Sequence, residues 1–308
     1  MELFARQTNI AFMGMRKITA IISLIMICIA CFFLFKNGLN FALDFTGGTQ
    51  LELRMKEATP LDNIRALLAK NNFGDAKVTQ YGSSKDFLIR MANREGENEQ
   101  TLGKKILSVL NTEVEVELRK IEFVGSEVGS QLAEQGGLAV LVALLASMIY
   151  IAVRFEYRFA ISAALALMHD PIIILGIFAA FQIEFDLATL ASILAVIGYS
   201  LNDTIVVYDR VRENFKKIRK GTAEEIINLS INQTLSRTVM TSLMTALVVI
   251  ALLIFGGESL FGFSLSFIIG IVVGTYSSIY IAGAVALTLG LSRKDMMPST
   301  KKAVDELP

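Results

Sequence analysis

The sequence has few of the residues that carry chemistry in soluble enzymes and metal sites. Its 308 residues include no Trp, one His and two Cys, and 29 Lys and Arg balance 29 Asp and Glu. A single His excludes a His-rich metal site, and we expect neither a metal nor a cofactor. Zero net charge argues against a general affinity for nucleic acid, so no nucleic-acid partner is expected.

The two cysteines, Cys28 and Cys31, have the C-x-x-C spacing of a redox pair. Both lie inside an uncharged apolar run, where cysteine serves as a small apolar residue. We therefore interpret them as part of a membrane helix and draw nothing from them about redox compartment.

Apolar residues are in excess. They make up 53% of the chain, the mean hydropathy is +0.54, and charged residues still reach 19%. This mixture indicates membrane spans combined with an aqueous segment. Six apolar runs are long enough to cross a bilayer, and they predict a polytopic α-helical membrane protein. The runs are 18–35, 137–153, 159–181, 187–208, 239–255 and 263–291.

The first run is preceded by basic residues, as in a signal peptide. A signal peptide has a shorter apolar region and a small-residue cleavage site, so we expect a retained span. The predicted division of the chain is a cytoplasmic N-terminus, a first span, an extracytoplasmic domain, a five-span bundle and a cytoplasmic tail. Their respective ranges are 1–17, 18–36, 37–135, 136–291 and 292–308.

The segment between the first two runs has the pattern of a small α+β domain. Residues 49–55 alternate as a strand, and Leu61, Ile64, Leu67 and Leu68 form a helical stripe. Two strands, a second helix and a last strand follow, at 76–81, 86–91, 99–110 and 114–123. The order βαββαβ predicts a ferredoxin-like domain.

Lys and Arg are distributed unevenly among the loops. They occur in 154–158, in 209–237 and in the tail, and they are absent from the turns 182–186 and 256–262. By the positive-inside rule, both termini are cytoplasmic and the domain is extracytoplasmic. Thr222 and Glu225 form a capping-box signature, which predicts a short helix at the cytoplasmic interface before the fifth span.

Four polar residues lie within the predicted spans: His169, Asp170, Asn202 and Asp203. A charge at the bilayer centre costs about 2.5–3.5 kcal/mol, so the presence of these residues within membrane spans requires an explanation. One possibility is a buried hydrogen-bond network without a transport role. Because adjacent helical residues point in different directions, we expect His169 and Asp170 not to pair and each to have a partner on another span.

Arg237, at the start of the fifth run, is the natural counter-charge for Asp203. If the two form an ion pair, protonation of Asp203 breaks the pair and frees both helices to shift, as a proton-driven switch requires. An ordinary positive-inside anchor is the alternative interpretation of Arg237. In the last run, small residues indicate close helix packing; they are Gly270, Gly274, Ser277, Ser278 and Gly283.

Three motifs together resemble the SecF family. They are the structural motif Asp44, Phe45, Thr46, Gly47 and Gly48, the pair His169 and Asp170, and the long stretch 198–214. SecF is the smaller subunit of the bacterial SecDF export complex, within the resistance-nodulation-division superfamily. The resemblance implies a multi-pass protein of the bacterial inner membrane that pairs with SecD and associates with SecYEG and YajC.

The resemblance also implies a function that is not enzymatic. Family members use the proton-motive force to move unfolded exported polypeptides, and their outer domains bind the emerging chain. Asp203 and Arg237 match the family positions for proton movement. His169 and Asp170 match the family pattern, but a direct proton role does not follow for them.

Two other functions are open. Asp170 and Asp203 could form the dyad of an intramembrane aspartyl protease, in which two carboxylates share a proton. The Gly-x-Gly-Asp context of that class is absent around Asp203. The chain could also be a passive subunit whose outer domain only holds partners together.

Overall fold

The computed structural model describes residues 8–80, 83–92 and 99–292. Six helices in this part are long and apolar enough to cross a membrane, as predicted. We call them spans one to six: Phe12–Asn37, Ser126–Arg154, Tyr157–Phe181, Leu187–Lys217, Ala223–Phe255 and Phe261–Thr288. Residues 1–7 of the predicted N-terminal segment, residue 81 of the second predicted strand and residues 293–308 of the predicted tail lie outside the described residues.

Spans three, four and six form the centre of the bundle. Their most apolar windows are 56%, 44% and 50% buried, against 11% to 17% for the other three. Span six packs closely on span four because Gly270 faces Val196, where a Cβ would lie 2.3 Å from Cγ2. The small residues of span six are therefore used for close helix packing, as expected.

Span six is not a uniform α-helix. An α-helix covers Phe261–Tyr276, a π-helical turn follows at Ser277–Ile281, and a second α-helix covers Ala282–Thr288. The backbone N–H of Ala282 donates to the carbonyl oxygen of Ser277, five residues earlier. We call Ser277–Ile281 the π turn.

Span five begins with the predicted capping box. Thr222 Oγ1 accepts from the Glu225 N–H at 3.2 Å, and Glu225 Oε2 accepts from the Thr222 N–H at 2.9 Å. The prediction of a separate short interfacial helix is wrong, because one helix runs over Ala223–Phe255 without a break. No Gly or Pro interrupts this range, and one face of its first turns is buried, at Ile226, Ile227 and Ile231.

The beginning of span one is attached to the beginning of span five. A 3₁₀ turn at Phe12–Met15 precedes the helix Arg16–Asn37. Asn228 Oδ1 accepts from the Met13 N–H at 2.8 Å, and Asn232 bonds both backbone groups of Ile10 at 2.8–2.9 Å. Arg16 also forms an ion pair with Glu224.

The domain between spans one and two has the predicted ferredoxin-like topology. A two-residue strand β1 (Asn40–Phe41) precedes it, and its sheet contains β2 (Gly48–Met55), β3 (Lys77–Gln80), β4 (Asp86–Met91) and β5 (Val116–Val124). The strand order is β3-β4-β2-β5, and all neighbours are antiparallel. Helices Leu61–Lys70 and Glu99–Leu110 supply the apolar side chains that cover one face.

Candidate functional site

The bundle centre contains two buried carboxylates. Asp170 on span three is 1% exposed and Asp203 on span four is 8% exposed. A carboxylate removed from water needs hydrogen-bond donors to offset the lost hydration. Here the hydroxyl donors come from neighbouring spans.

Asp203 is held by two hydroxyl groups. Thr238 Oγ1 on span five donates to Asp203 Oδ1 at 2.7 Å, and Ser278 Oγ on the π turn donates to Oδ2 at 2.6 Å. Both distances lie within the range of O–H···O hydrogen bonds. Asp203 therefore connects three spans through its single carboxylate.

Arg237 is not in contact with Asp203. Within the described residues no ion pair joins the two, and Arg237 is exposed at the bundle surface. Consecutive helical residues point about 100° apart. Since Thr238 faces Asp203, the neighbouring guanidinium is directed away from it. The expected direct pair is thus absent from this structure.

Asp170 has three partners, and one of them corrects our expectation. His169 Nδ1 lies 2.9 Å from Asp170 Oδ1, so the adjacent residues do pair. Nδ1 is bonded directly to the ring carbon nearest the backbone, and a neighbouring short carboxylate can turn toward it. Oδ2 accepts from Ser200 at 2.6 Å on span four and from Ser277 at 3.0 Å on the π turn.

Space for this arrangement comes from a glycine. A Cβ on Gly274 would lie 3.2 Å from Ser200 Cβ and 3.5 Å from Asp170 Oδ2. The first contact is tighter than ordinary van der Waals packing, so a side chain here would press on the hydrogen bond between Ser200 and Asp170.

His169 is buried, and its second nitrogen has no partner in the described part of the chain. It is 3% exposed, and Nε2 accepts and donates no hydrogen bond there. Its ring lies 6.3 Å from that of Tyr276, whose hydroxyl donates to the Thr19 carbonyl on span one at 2.8 Å. The polar region therefore extends from spans three and six toward span one.

Ser277 and Ser278 were not predicted as part of this site. The sequence indicates only that they are small residues suited to helix packing. As consecutive residues they point in different directions, so one reaches Asp170 and the other reaches Asp203. Their adjacency inside an apolar run was the only available signal.

Asn202 does not join this network. It is exposed, and its side chain makes no hydrogen bond to any described residue. It lies on a face of span four whose other exposed residues are small: Ala191, Ala195 and Gly198. A Cβ on Gly198 would meet nothing within 4 Å.

The Asp44 to Gly48 motif lies where the domain joins the bundle. Asp44 Oδ2 accepts from the Leu187 N–H at 3.0 Å, at the first residue of span four. Gly47 adopts φ +67° and Gly48 φ +135°, backbone conformations that favour glycine. A Cβ on Gly47 would lie 2.7 Å from the Ser126 Cα, so the motif packs directly on the start of span two.

A cavity of about 1080 Å³ separates the open face of the sheet from the adjoining loops of the bundle. Its wall carries both signs of charge, with Lys120 and Glu122 on β5 and Asp186 at the start of span four. An ion pair between Arg90 on β4 and Glu184 connects the sheet to the loop between spans three and four. Glu184–Phe185 forms strand β6, which pairs in parallel with β1.

The fold and the site define a class: a six-span membrane protein with a ferredoxin-like domain and a hydrogen-bonded carboxylate network in its central spans. The family described as "Protein export membrane protein SecD/SecF, C-terminal" matches residues 104–292, and the "SecD/SecF GG Motif" matches residues 32–59. The chain belongs to the SecD/SecF family of protein export membrane proteins.

Relatives of similar length agree with this assignment. The protein translocase subunit SecF of Vibrio alginolyticus is 46% identical over 299 residues, covering 96% of this chain and 95% of the relative. SecF of Pseudomonas aeruginosa is 45% identical over 304 residues, covering 97% and 98%. The crystal structure of SecDF from Thermus thermophilus matches with a TM-score of 0.83 at 37% identity. That match covers 94% of this chain and 40% of the SecDF chain.

Proposed function

We propose that the chain is a SecF-type subunit of the Sec protein translocase that, with SecD, couples the proton-motive force to export of unfolded preproteins. The observation that carries the proposal is Asp203, a buried carboxylate in span four held by hydroxyl groups from spans five and six. The function is that of a transport subunit and not of an enzyme. SecYEG and YajC are the further partners we propose from the family.

The energetics fit such a role. Both partners of Asp203 are neutral, so a proton on this carboxylate changes the charge at the centre of three spans. Moving one charge through 100 mV is worth about 2.3 kcal/mol. This biases a two-state equilibrium by roughly fifty-fold, enough to favour one arrangement of the spans over another.

We propose that Arg237 forms an ion pair with the ionised Asp203 at another stage of the cycle. Arg237 immediately precedes Thr238 on the same helix and is exposed beside the network. A rotation of span five that withdraws Thr238 would turn the guanidinium toward Asp203. The direct pair then belongs to another state of the cycle.

We propose the bacterial inner membrane as the location, with both termini cytoplasmic. The bundle ends away from the sheet domain carry Arg154 on span two, and Lys216 and Lys217 on span four. Basic residues at one side of the bundle support this orientation. The sheet domain is then periplasmic.

The exposed small-residue face of span four is where we propose that SecD packs. Small residues permit close approach between membrane helices, and Asn202 on the same face needs a partner to avoid lipid. Gly198→Leu should leave this chain folded, since its Cβ meets nothing within 4 Å, but should reduce recovery of SecD in pull-downs. Val248→Phe, at a residue 64% exposed on span five, is the matched control.

The exported polypeptide is the occupant that we propose for the cavity between sheet and bundle. Its volume of about 1080 Å³ and its mixed lining suit an extended chain with varied side chains. Photo-crosslinking from Thr79, which lines the cavity, should capture a translocating preprotein. Crosslinking from Asp62, on the opposite, helix-covered side of the domain, should not. Equal crosslinking from both positions would argue against the cavity.

The protease alternative is less well supported by the geometry. Asp170 and Asp203 share no hydrogen-bond partner in the described residues, and each has its own serine. A passive scaffold predicts no dependence of export on either group. Asp170→Asn tests the protease alternative, because a dyad requires both carboxylates for catalysis. If export that depends on Asp203 survives this change, the dyad is excluded.

The test of the proposed function is proton-driven export into membrane vesicles that contain the complex. Asp203→Asn and Arg237→Met should each abolish stimulation by a proton gradient while SecD is still recovered. Glu134→Gln, which removes an exposed carboxylate from the helix of span two, controls for loss of charge. Normal stimulation in Asp203→Asn would refute the proposed mechanism.

A further inference from the structure

The π turn of span six is placed where both buried carboxylates contact the same helix. Its first two residues are Ser277 and Ser278, both 0% exposed. Single π turns are rare in helices and occur frequently at functional sites. Here the turn supplies a donor to Asp170 on span three and to Asp203 on span four.

Each of these serines has two acceptors for one hydroxyl hydrogen. Ser278 Oγ lies 2.6 Å from Asp203 Oδ2 and 3.0 Å from the Thr275 carbonyl of its own helix. Ser277 Oγ lies 3.0 Å from Asp170 Oδ2 and 3.1 Å from the Gly274 carbonyl. A hydroxyl donates one hydrogen, and an ionised carboxylate is the stronger acceptor.

Protonation of Asp203 changes which of the two acceptors the Ser278 hydroxyl hydrogen bonds. A neutral Asp203 is a weaker acceptor and becomes a donor through its own O–H. The Ser278 hydrogen is then free to turn to the Thr275 carbonyl, and Ser278 Oγ can accept from the protonated acid. The direction of the hydrogen bond between spans four and six is reversed.

We propose that Ser278 is a positioning residue that transmits protonation of Asp203 to the π turn of span six, with Ser277 as its counterpart on Asp170. Once Asp203 is protonated and the hydrogen bond is reversed, the Ser278 hydroxyl donates to the Thr275 carbonyl of its own helix, and the turn relaxes to α-helical hydrogen bonding. This inference rests on the proposed proton-coupled function and names the element that would move. The structural consequence is confined to the part of span six that follows the turn.

The displacement is set by helix geometry. One residue of α-helix corresponds to a rise of about 1.5 Å and a rotation of about 100°. Relaxation of the turn would therefore rotate Ala282–Thr288 relative to Phe261–Tyr276. It would also break the bond from the Tyr208 hydroxyl to the Ala282 carbonyl, now 3.3 Å long.

Other titratable groups reach the same network. Span three contributes His169 and Asp170, and span six contributes Tyr276. Span five contributes Arg237, which is exposed and adjacent to Thr238. Span four contributes Tyr208 at the end of the turn. Because these groups could respond to pH, the test must isolate Ser278 from them.

The experiment uses the complex of this chain with SecD, with Cys28 and Cys31 replaced by Ala. Spin labels on Tyr157→Cys and Thr288→Cys, both exposed positions, measure the distance between the start of span three and the end of span six. In the otherwise unchanged chain the distance should differ between alkaline and acidic buffer. In Asp203→Asn it should stay at the acidic value.

Ser278→Ala should remove the dependence of this distance on pH and lower proton-driven export by about tenfold or more, the equilibrium value of one hydrogen bond to a charged group. Ser278→Thr keeps the hydroxyl and should restore both. A merely structural serine would not change the pH profile of the distance. A normal pH response and normal export in Ser278→Ala would overturn the inference.

The two proposals fail in different ways. If Asp203→Asn exports normally, the proposed function fails, and this inference fails with it. If Asp203→Asn loses proton-driven export while the labelled distance never changes with pH, the proposed function stands and the role of the π turn is refuted.

Discussion

Replacement of Gly270 by Ala tests how closely spans four and six must approach. A Cβ at this position would lie 2.3 Å from Val196 Cγ2, 2.6 Å from Cγ1 and 3.0 Å from Cβ. Carbon atoms in contact are about 3.5–4.0 Å apart, so the two helices must separate by roughly 1 Å or Val196 must be displaced. These are the helices that carry Asp203 and Ser278, whose bond is only 2.6 Å long.

The expected cost follows from two opposing effects. Overpacking of a filled interior costs about 1–3 kcal/mol, whereas Gly to Ala in a helix gains about 0.5–1 kcal/mol. We expect Gly270→Ala to lower the free energy of unfolding by about 1–2 kcal/mol. It should also reduce proton-driven export, because the bond from Ser278 to Asp203 is stretched.

A double-mutant cycle makes the explanation specific. Val196→Ala removes Cγ1 and Cγ2, the two closest atoms, and leaves the contact with Val196 Cβ at 3.0 Å. The pair Gly270→Ala with Val196→Ala should therefore be more stable than the sum of the single changes, by about 0.5–3 kcal/mol. Unfolding by SDS in mixed micelles measures each free energy.

Gly137→Ala on span two is the matched control, since its Cβ would meet nothing within 4 Å. It should be neutral or slightly stabilising. If Gly270→Ala is as stable as Gly137→Ala, or if the cycle shows no coupling, the close approach of spans four and six is refuted.

Two further predictions concern the attachments at either side of the bundle. Gly47→Ala should destabilise the junction by about 1–3 kcal/mol, because φ +67° is strained for Ala and its Cβ would meet the Ser126 backbone. The rate of proteolysis between the domain and span two measures this destabilisation. Unchanged cleavage would contradict the prediction. Asn228→Ala should free the Met13 N–H, now bonded at 2.8 Å, at a cost of about 1 kcal/mol. Faster amide exchange at residues 12–15 detects this change, and unaltered exchange would argue against the attachment.

The overall architecture could be predicted from the sequence because its signals are local. Each span is a long apolar run, and each strand or helix of the domain has its own periodicity. The boundary of span five was harder to predict. The capping box at Thr222 was recognised, but its helix continues through polar residues into the membrane run, and hydropathy alone cannot connect the two parts.

The partners of the buried residues could be predicted only in part. Asp203 stood out because a carboxylate in a membrane span is expensive. Its actual donors, Thr238 and Ser278, depend on which helix faces it, and this follows from packing that no local pattern contains. Arg237 was an attractive partner by charge, yet its neighbour Thr238 occupies the position facing Asp203.

A second difference between prediction and structure concerns two adjacent residues of span three. His169 and Asp170 were expected to point apart, and the structure pairs them at 2.9 Å. The π turn was also not predictable, because one extra residue in a helical turn leaves no mark on hydropathy. Asp44 to Gly48 was identified as a motif, but its contacts with spans two and four required the structure.

The central claim is that Asp203 takes up and releases the proton that drives the subunit. Infrared difference spectroscopy of the complex with SecD, between alkaline and acidic buffer, observes the carbonyl band of a protonated carboxyl directly. The account predicts a band that disappears in Asp203→Asn and changes frequency in Ser278→Ala, since Ser278 bonds that carboxyl at 2.6 Å. A difference band that is identical in all three proteins would contradict it.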